Sequence, residues 1–231
     1  TVHKCVNLGW DVINVEKALN EKTGLFVKAG NDANVAALGE MWQGGGKGHQ
    51  NVIMVTLGTG VGGGIIVDGK IIAGSHGAGG ELGHIHMNDD ETDTCGCGNK
   101  GCLEQYASAT GIVRMAKKQL AKETRDTKLT AFETLTAKDI FDAAKEGDEV
   151  ALELVDGLCT MLGTALANVA AVADPEIFVI GGGVSRAGDI LIKGIQKKFE
   201  EKAFHACRAT DISLATLGND AGMYGCVRLL F

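Results

Sequence analysis

The segment NVIMVTLGTGVGGGIIVDGKII, residues 51–72, decides the fold. Its first apolar run is rich in β-branched residues and reads as a strand. A glycine turn, a second β-branched run, an Asp-Gly pair and a short third run follow, so the segment predicts strand, turn, strand, hairpin turn, strand. That is an antiparallel meander. Gly58–Gly63 also satisfies G-x-G-x-x-G, but a dinucleotide site requires a helix directly after those glycines, and GIIVDGKII follows instead. A glycine hairpin without a ligand is one reading of the turn. Exposed amides and the Thr59 hydroxyl make a cradle for phosphate oxygens the other.

Working outward, helical spacing is expected over 12–19, a short strand over 25–30 (LFVKAG) and a helix over 33–42. Downstream, a loop-rich section over 74–101 precedes helices near 104–122, 137–145 and 149–173. The strand EIFVI, a GGG loop, a helix over about 187–202, a strand near 211–217 and a last helix from Asp220 complete the chain. A meander followed by helix-strand units is an α/β arrangement.

Composition narrows the partners. The 231 residues carry 34 glycines, far above typical usage of about 7%, and a net charge of -7 with no basic run. Backbone is being brought close to something small, and a nucleic-acid surface is not expected. The apolar run over 157–173 contains Thr160, Thr164 and Asn168 and reads as a buried helix, so no membrane partner is expected. No export signal is visible, and seven cysteines agree with reduced thiols in the cytoplasm.

The remaining polar motifs suit a small ligand. GGKGHQ around Lys47 lacks the Ser or Thr and the glycine spacing of a P-loop and reads as a surface loop. Gly181, Gly182 and Gly183 follow a strand and precede a helix, where ligands of open α/β folds collect. Two glycine loops of different type suggest a nucleotide held separately at its phosphates and its base. Asn31 and Asp32 open a helix after a strand; Asp32 reads either as a helix cap or as a general base beside a hydroxyl-binding amide. Glu81 and His84 share the glycine-rich loop GAGGELGHIH, and with Asn31 and Glu104 they form a set suited to a polyhydroxylated ligand. In CGCGNKGCLE, residues 95–104, the spacing C-x-C-x4-C points to thiolate coordination of zinc by Cys95, Cys97 and Cys102. His76, His84 and His86 are each within reach as the fourth ligand. A closed four-ligand site is structural. His3, His49 and His205, and Cys5, Cys159, Cys207 and Cys226, read as ordinary residues.

In this order, NDAN, TLGTGVGGG, GAGGELGHI, CGCGNKGCLE and IGGG resemble the ROK family of sugar kinases and repressors, and within it the bacterial glucokinases, across essentially the whole chain. The resemblance implies the actin-like ATPase (ribonuclease-H-like) α/β fold, mainly its C-terminal lobe with a zinc-binding loop. It implies transfer of the γ-phosphoryl of Mg-ATP to a hexose, most simply glucose. Asp32 matches the family's catalytic base, and Asn31, Glu81, His84 and Glu104 match its sugar-holding residues. His84 also matches the zinc ligand that completes the site with Cys95, Cys97 and Cys102. Gly58, Thr59 and Gly60 match the second phosphate loop, and Gly181–Gly183 the place of the adenosine. A homodimer or higher homo-oligomer is expected, since family members often pair.

On this division, residues 1–30 are a remnant of the N-terminal lobe, and 31–218 are the C-terminal kinase lobe with a zinc knuckle over 84–102. Residues 219–231 form a helix expected to pack back on the N-terminal lobe. The family's first phosphate loop, an Asp followed by glycines and Thr, occurs nowhere in the sequence and is expected upstream of Thr1; without it the Mg-ATP site lacks a wall. A sugar-sensing repressor and a kinase for another hexose, such as N-acetylmannosamine, are the alternatives within the family. An unrelated zinc-stabilised carbohydrate-binding module would not explain two glycine loops. Repressors have no need of a base, so an intact NDAN favours the kinase.

Overall fold

The structure is a computed structural model and describes residues 11–231. The readings of His3 and Cys5 lie outside the described residues. The meander forms as expected: β1 (Val52–Leu57), β2 (Val61–Val67) and β3 (Lys70–Ile71) are antiparallel neighbours. β4 (Ile177–Gly181) adds to the free side of β1 in parallel, Val52 opposite Ile177, and β5 (Asp211–Leu214) adds in parallel to β4. The order is β3-β2-β1-β4-β5, a mixed sheet.

Alternation along β1 sends Ile53, Val55 and Leu57 to one face and Val52 and Met54 to the other. Both sets are buried, which is why the strand reads as a continuous apolar run. On the first face lie α6 (Glu149–Ala173) and α7 (Asp189–Lys202), with Phe178 and Phe199 fully buried edge to face at 5.7 Å between centroids. By length and composition α6 could cross a membrane, yet Leu154, Leu158, Leu162 and Leu166 bury one stripe of it in this core. Asp148 caps its start by accepting from Ala151 N. Before it, α5 (Ala137–Lys145) opens with a capping box between Thr136 and Asp139.

The second face is covered by α2 (Asp32–Gln43) through Ala37, Leu38 and Met41. The last helix, α8 (Ala221–Arg228), lies against α2, with Trp42 and Tyr224 edge to face at 6.3 Å. Met223, Val227 and Phe231 stay exposed. Glu40, fully buried, accepts from the backbone N–H groups of Gly45, Thr216 and Leu217 at 2.7, 3.1 and 2.8 Å, tying the end of α2 to the turn before α8.

Two expectations change. Residues 25–30 are not a strand: they follow α1 (Val15–Thr23) as exposed chain, Leu25 and Phe26 being 67% and 70% exposed, with no ladder partner among the described residues. Apolar composition alone does not make a strand, because its backbone groups need a neighbour. The helix expected over 104–122 is two, α3 (Glu104–Ala107) and α4 (Ala109–Leu120), broken at Ser108, whose extended backbone and hydroxyl start α4 afresh.

Candidate active site

The glycines of β2 do two jobs. Only Gly58–Gly60 form the turn; Gly62, Gly63 and Gly64 lie within the strand and act as spacers. A methyl on Gly64 would lie 2.6 Å from Ala37 Cβ and 3.1 Å from Ala33 O, so its bareness lets the first turns of α2 press onto β2, whereas one on Gly62 would meet Thr56 Oγ1 at 2.7 Å. On the opposite face, a methyl on Gly63 would lie 2.5 Å from Gly80 O and 2.7 Å from Leu82, so the GAGGELGH loop approaches equally closely. The NDAN and GELGH motifs are thus held on the two faces of one strand, beside its turn.

On α2, Asn31 rather than Asp32 is the helix cap, its side chain accepting from Asn34 N at 3.2 Å. Asp32 is the first helical residue and is exposed, its carboxylate accepting from Ala33 N at 2.9 Å.

Around Glu104 the other polar residues converge. His84 Nδ1 lies 3.9 Å from Glu104 Oε1 and 3.9 Å from Cys95 Sγ, and its Nε2 faces Glu81 Oε2 at 3.9 Å. The Cys95 thiol donates to Glu104 Oε1 at 2.9 Å. A methyl on Gly60 would meet Glu104 Oε2 at 2.6 Å, so the carboxylate rests directly on the turn. A side chain there would push the carboxylate aside.

His84, Cys95, Cys97 and Cys102 offer four ligand atoms within 4.8 Å of one another. Three sulfurs and one imidazole nitrogen so grouped are the donor set of a tetrahedral zinc, whose ligands stand about 2.0–2.3 Å from the ion. His86 is turned elsewhere: its nitrogens pair with Lys100 O and the Asp89 carboxylate, which raises its pKa. His76 lies on the exposed part of its loop. Burial pushes the Cys95 thiol up to about 12 and also raises Cys102, whereas the Asn99 N–H lowers Cys97. A cation would displace protons on binding.

Behind the knuckle sits an ion cluster that the sequence did not reveal. Glu91, nearly buried, is bound by Arg114 at 2.7 Å, Lys118 at 3.1 Å and the Tyr106 hydroxyl at 2.7 Å, and Arg114 also reaches Asp93 at 2.7 Å. The Arg114 guanidinium beside Glu91 holds its carboxyl well below the usual range, against the cost of burial. Arg114→Met removes the main partner of a buried charge and is expected to cost about 3 kcal/mol, read as a shift in urea midpoint at pH 7. Because the folded pKa of Glu91 is depressed, its contribution is present above the unfolded value of 4.5 and declines as pH falls below it. Wild type should therefore lose more stability than Arg114→Met between pH 5 and pH 3, and parallel losses would remove Glu91 from the account.

Three adjoining cavities run along one side of the site. One of about 500 Å³ is lined by Thr59, Gly60, Cys95 and Glu104, a second of about 500 Å³ by Thr59, Thr110 and Ala137, and a third of about 280 Å³ by Gly183, Phe141 and Arg186. The first two share Thr59, and the last two share Ala109 and Ala137. Gly181 closes β4, and Gly182 turns the chain with φ 85° into the wall of the third. Ala109, Ala137 and Phe141 carried no sequence signal, since helical apolar positions read as core.

The sheet order and the strand-end glycines define an actin-like ATPase α/β fold. A model described as "ROK family" matches residues 1–230. The chain belongs to the ROK family. It is 46% identical to a glucokinase of Halalkalibacterium halodurans over 97% of this chain and 69% of that protein. It is 31% identical to a xylose repressor of Caldicellulosiruptor bescii over 100% of this chain and 58% of that protein. Among solved structures, a ROK family glucokinase from Streptomyces griseus in complex with glucose and AMPPNP superposes with a TM-score of 0.82 at 36% identity, over 99% of this chain and 76% of that one.

Proposed function

We propose that the chain phosphorylates a hexose from ATP, glucose to glucose 6-phosphate, in the cytoplasm, with Asp32 as general base. The observation that carries this is the placing of Asn31–Asp32 and of Glu81, His84 and Glu104 on opposite faces of β2, flanking the turn Gly58–Gly60. Its 46% identity to a glucokinase supports the same reading.

In this mechanism Asn31, Glu81, His84 and Glu104 hold the sugar hydroxyls that do not react. Asp32 takes the proton of the 6-hydroxyl as that oxygen bonds to the γ-phosphorus; the bond to the bridging oxygen breaks and ADP leaves. Thr59 and the turn amides receive phosphate oxygens, and Gly181–Gly183 border the adenosine. Magnesium, carried in with ATP, neutralises charge on the phosphates. His84, Cys95, Cys97 and Cys102 would hold a zinc ion, which would supply rigidity and no chemistry. One imidazole nitrogen faces the cysteines, and the other lies 3.9 Å from Glu81 Oε2. Phosphoryl transfer depends mainly on positioning and charge stabilisation, so a rigid acceptor site is where such a metal acts.

Hexose-dependent ADP release from Mg-ATP tests the reading. Glucose is expected to give one ADP per glucose 6-phosphate and to outpace N-acetylmannosamine. Sugar binding without ADP release from any hexose would overturn the kinase in favour of a sugar sensor related to the repressors.

A further inference from the structure

We infer that Thr110 is a positioning residue that, with Ser108 and Ala109, clamps the turn Gly58–Gly60 against Glu104 and aims its amides at the phosphates. The inference rests on the kinase reading for its purpose, though not for its geometry.

Two consecutive carbonyls of the turn are caught by two consecutive residues at the start of α4. Ala109 N donates to Gly58 O at 2.8 Å, and the Thr110 hydroxyl donates to Thr59 O in a short bond. The break between α3 and α4 makes this possible. Ser108, fully buried, donates its hydroxyl proton to Glu104 O at 2.6 Å and accepts from Gly111 N at 2.9 Å. Each hydroxyl has one proton, so with Ser108 committed to Glu104 O and Thr110 to Thr59 O, the 3.1 Å contact between them is packing rather than a third donation. The backbone that carries the Glu104 carboxylate is thereby joined to the turn through three residues.

Pinning those carbonyls has a stereochemical result. Across a trans peptide the C=O of one residue and the N–H of the next point to opposite sides, and the described chain has no cis peptide. With Gly58 O and Thr59 O held towards α4, the N–H groups of Thr59 and Gly60 must face the other way. Neither has an acceptor among the described residues. Two adjacent free amides with fixed direction are what a phosphate oxygen needs, and Thr110 lines the same cavity as Thr59, Gly60 and Glu104. Without the Thr110 hydroxyl, the Thr59–Gly60 peptide can rotate and the direction is lost.

The test compares Thr110→Val, which keeps the branched shape and removes the donor, with Thr110→Ser, which keeps the donor, in the intact protein. The first readout is amide exchange at Gly58, whose N–H is bonded across the turn to Gly60 O at 3.0 Å. Exchange is expected about tenfold faster in Thr110→Val and restored in Thr110→Ser, the scale of one lost hydrogen bond. Unchanged exchange overturns the clamp whether or not the protein is active. The second readout is steady-state kinetics: KM for ATP is expected to rise about tenfold in Thr110→Val with KM for glucose within about twofold, and serine is expected to rescue it. An active wild type with KM for ATP unmoved, or with both KM values rising alongside a lowered melting temperature, overturns the positioning role. Altered exchange in a protein that phosphorylates no hexose would remove the kinase reading while the clamp stood.

Discussion

Asp32→Asn is expected to lower kcat for glucose phosphorylation by about 10²–10⁴-fold, the usual worth of a positioned base, with glucose binding and melting temperature almost unchanged. The structure makes this substitution clean. Asn31 caps α2, so the variant keeps the bond to Asn34 N. Among the described residues the carboxylate of Asp32 accepts only from its neighbour Ala33 N, a bond that an asparagine oxygen also makes. What the amide cannot do is take a proton from the attacking hydroxyl. The measurement is ADP release under saturating glucose and Mg-ATP, beside a thermal melt of both proteins. A variant within tenfold of wild type would take the base role from Asp32, and a lowered melting temperature would show that the residue also supports α2.

Removing zinc is expected to weaken glucose binding by about 10–100-fold while the sheet and its helices stay folded. His84 stands between the cysteines and Glu81, and Cys95 lies against Glu104, so loss of the ion would loosen the groups proposed to hold the sugar. The main core contains none of Cys95, Cys97 and Cys102. Structural zinc often carries the folding energy of a small domain, but here the loop has a second anchor in the Glu91–Arg114–Lys118 cluster, so local loosening outweighs unfolding. Calorimetric titration of glucose into chelated and zinc-restored protein, with a far-UV melt of each, separates the outcomes. Glucose affinity unchanged in a chelated, folded sample would leave the metal without a part in sugar binding.

Much of this was legible in the sequence because it depends on short-range rules. The meander follows from β-branched runs divided by Gly and Asp-Gly turns. The bounds of α5 and α6 follow from the Thr136 and Asp148 caps and from Gly147 between them. The spacing of Cys95, Cys97 and Cys102 announces a thiolate site before any fold is known. Even the rejection of a dinucleotide loop needed only the residues after Gly63.

The rest needed the third dimension, since it concerns which distant groups meet. Residues 25–30 have strand composition but no neighbour to complete their hydrogen bonds. Asp32 and Asn31 are equally good caps by type, and only the backbone shows that Asn31 takes the role. His84 and His86 are equally spaced from the cysteines for a flexible loop; the pairing of His86 with Asp89 and Lys100 O separates them. Gly63 and Gly64 read as more of a phosphate loop, whereas their bareness serves to admit the Gly80 loop and α2 on either side of β2. Sequence thus determined the elements and the chemical types available, because turns, caps and ligand preferences act over a few residues; tertiary structure decided which carboxylate, imidazole and hydroxyl stand together, because only packing brings Glu91 to Arg114 or Thr110 to Thr59.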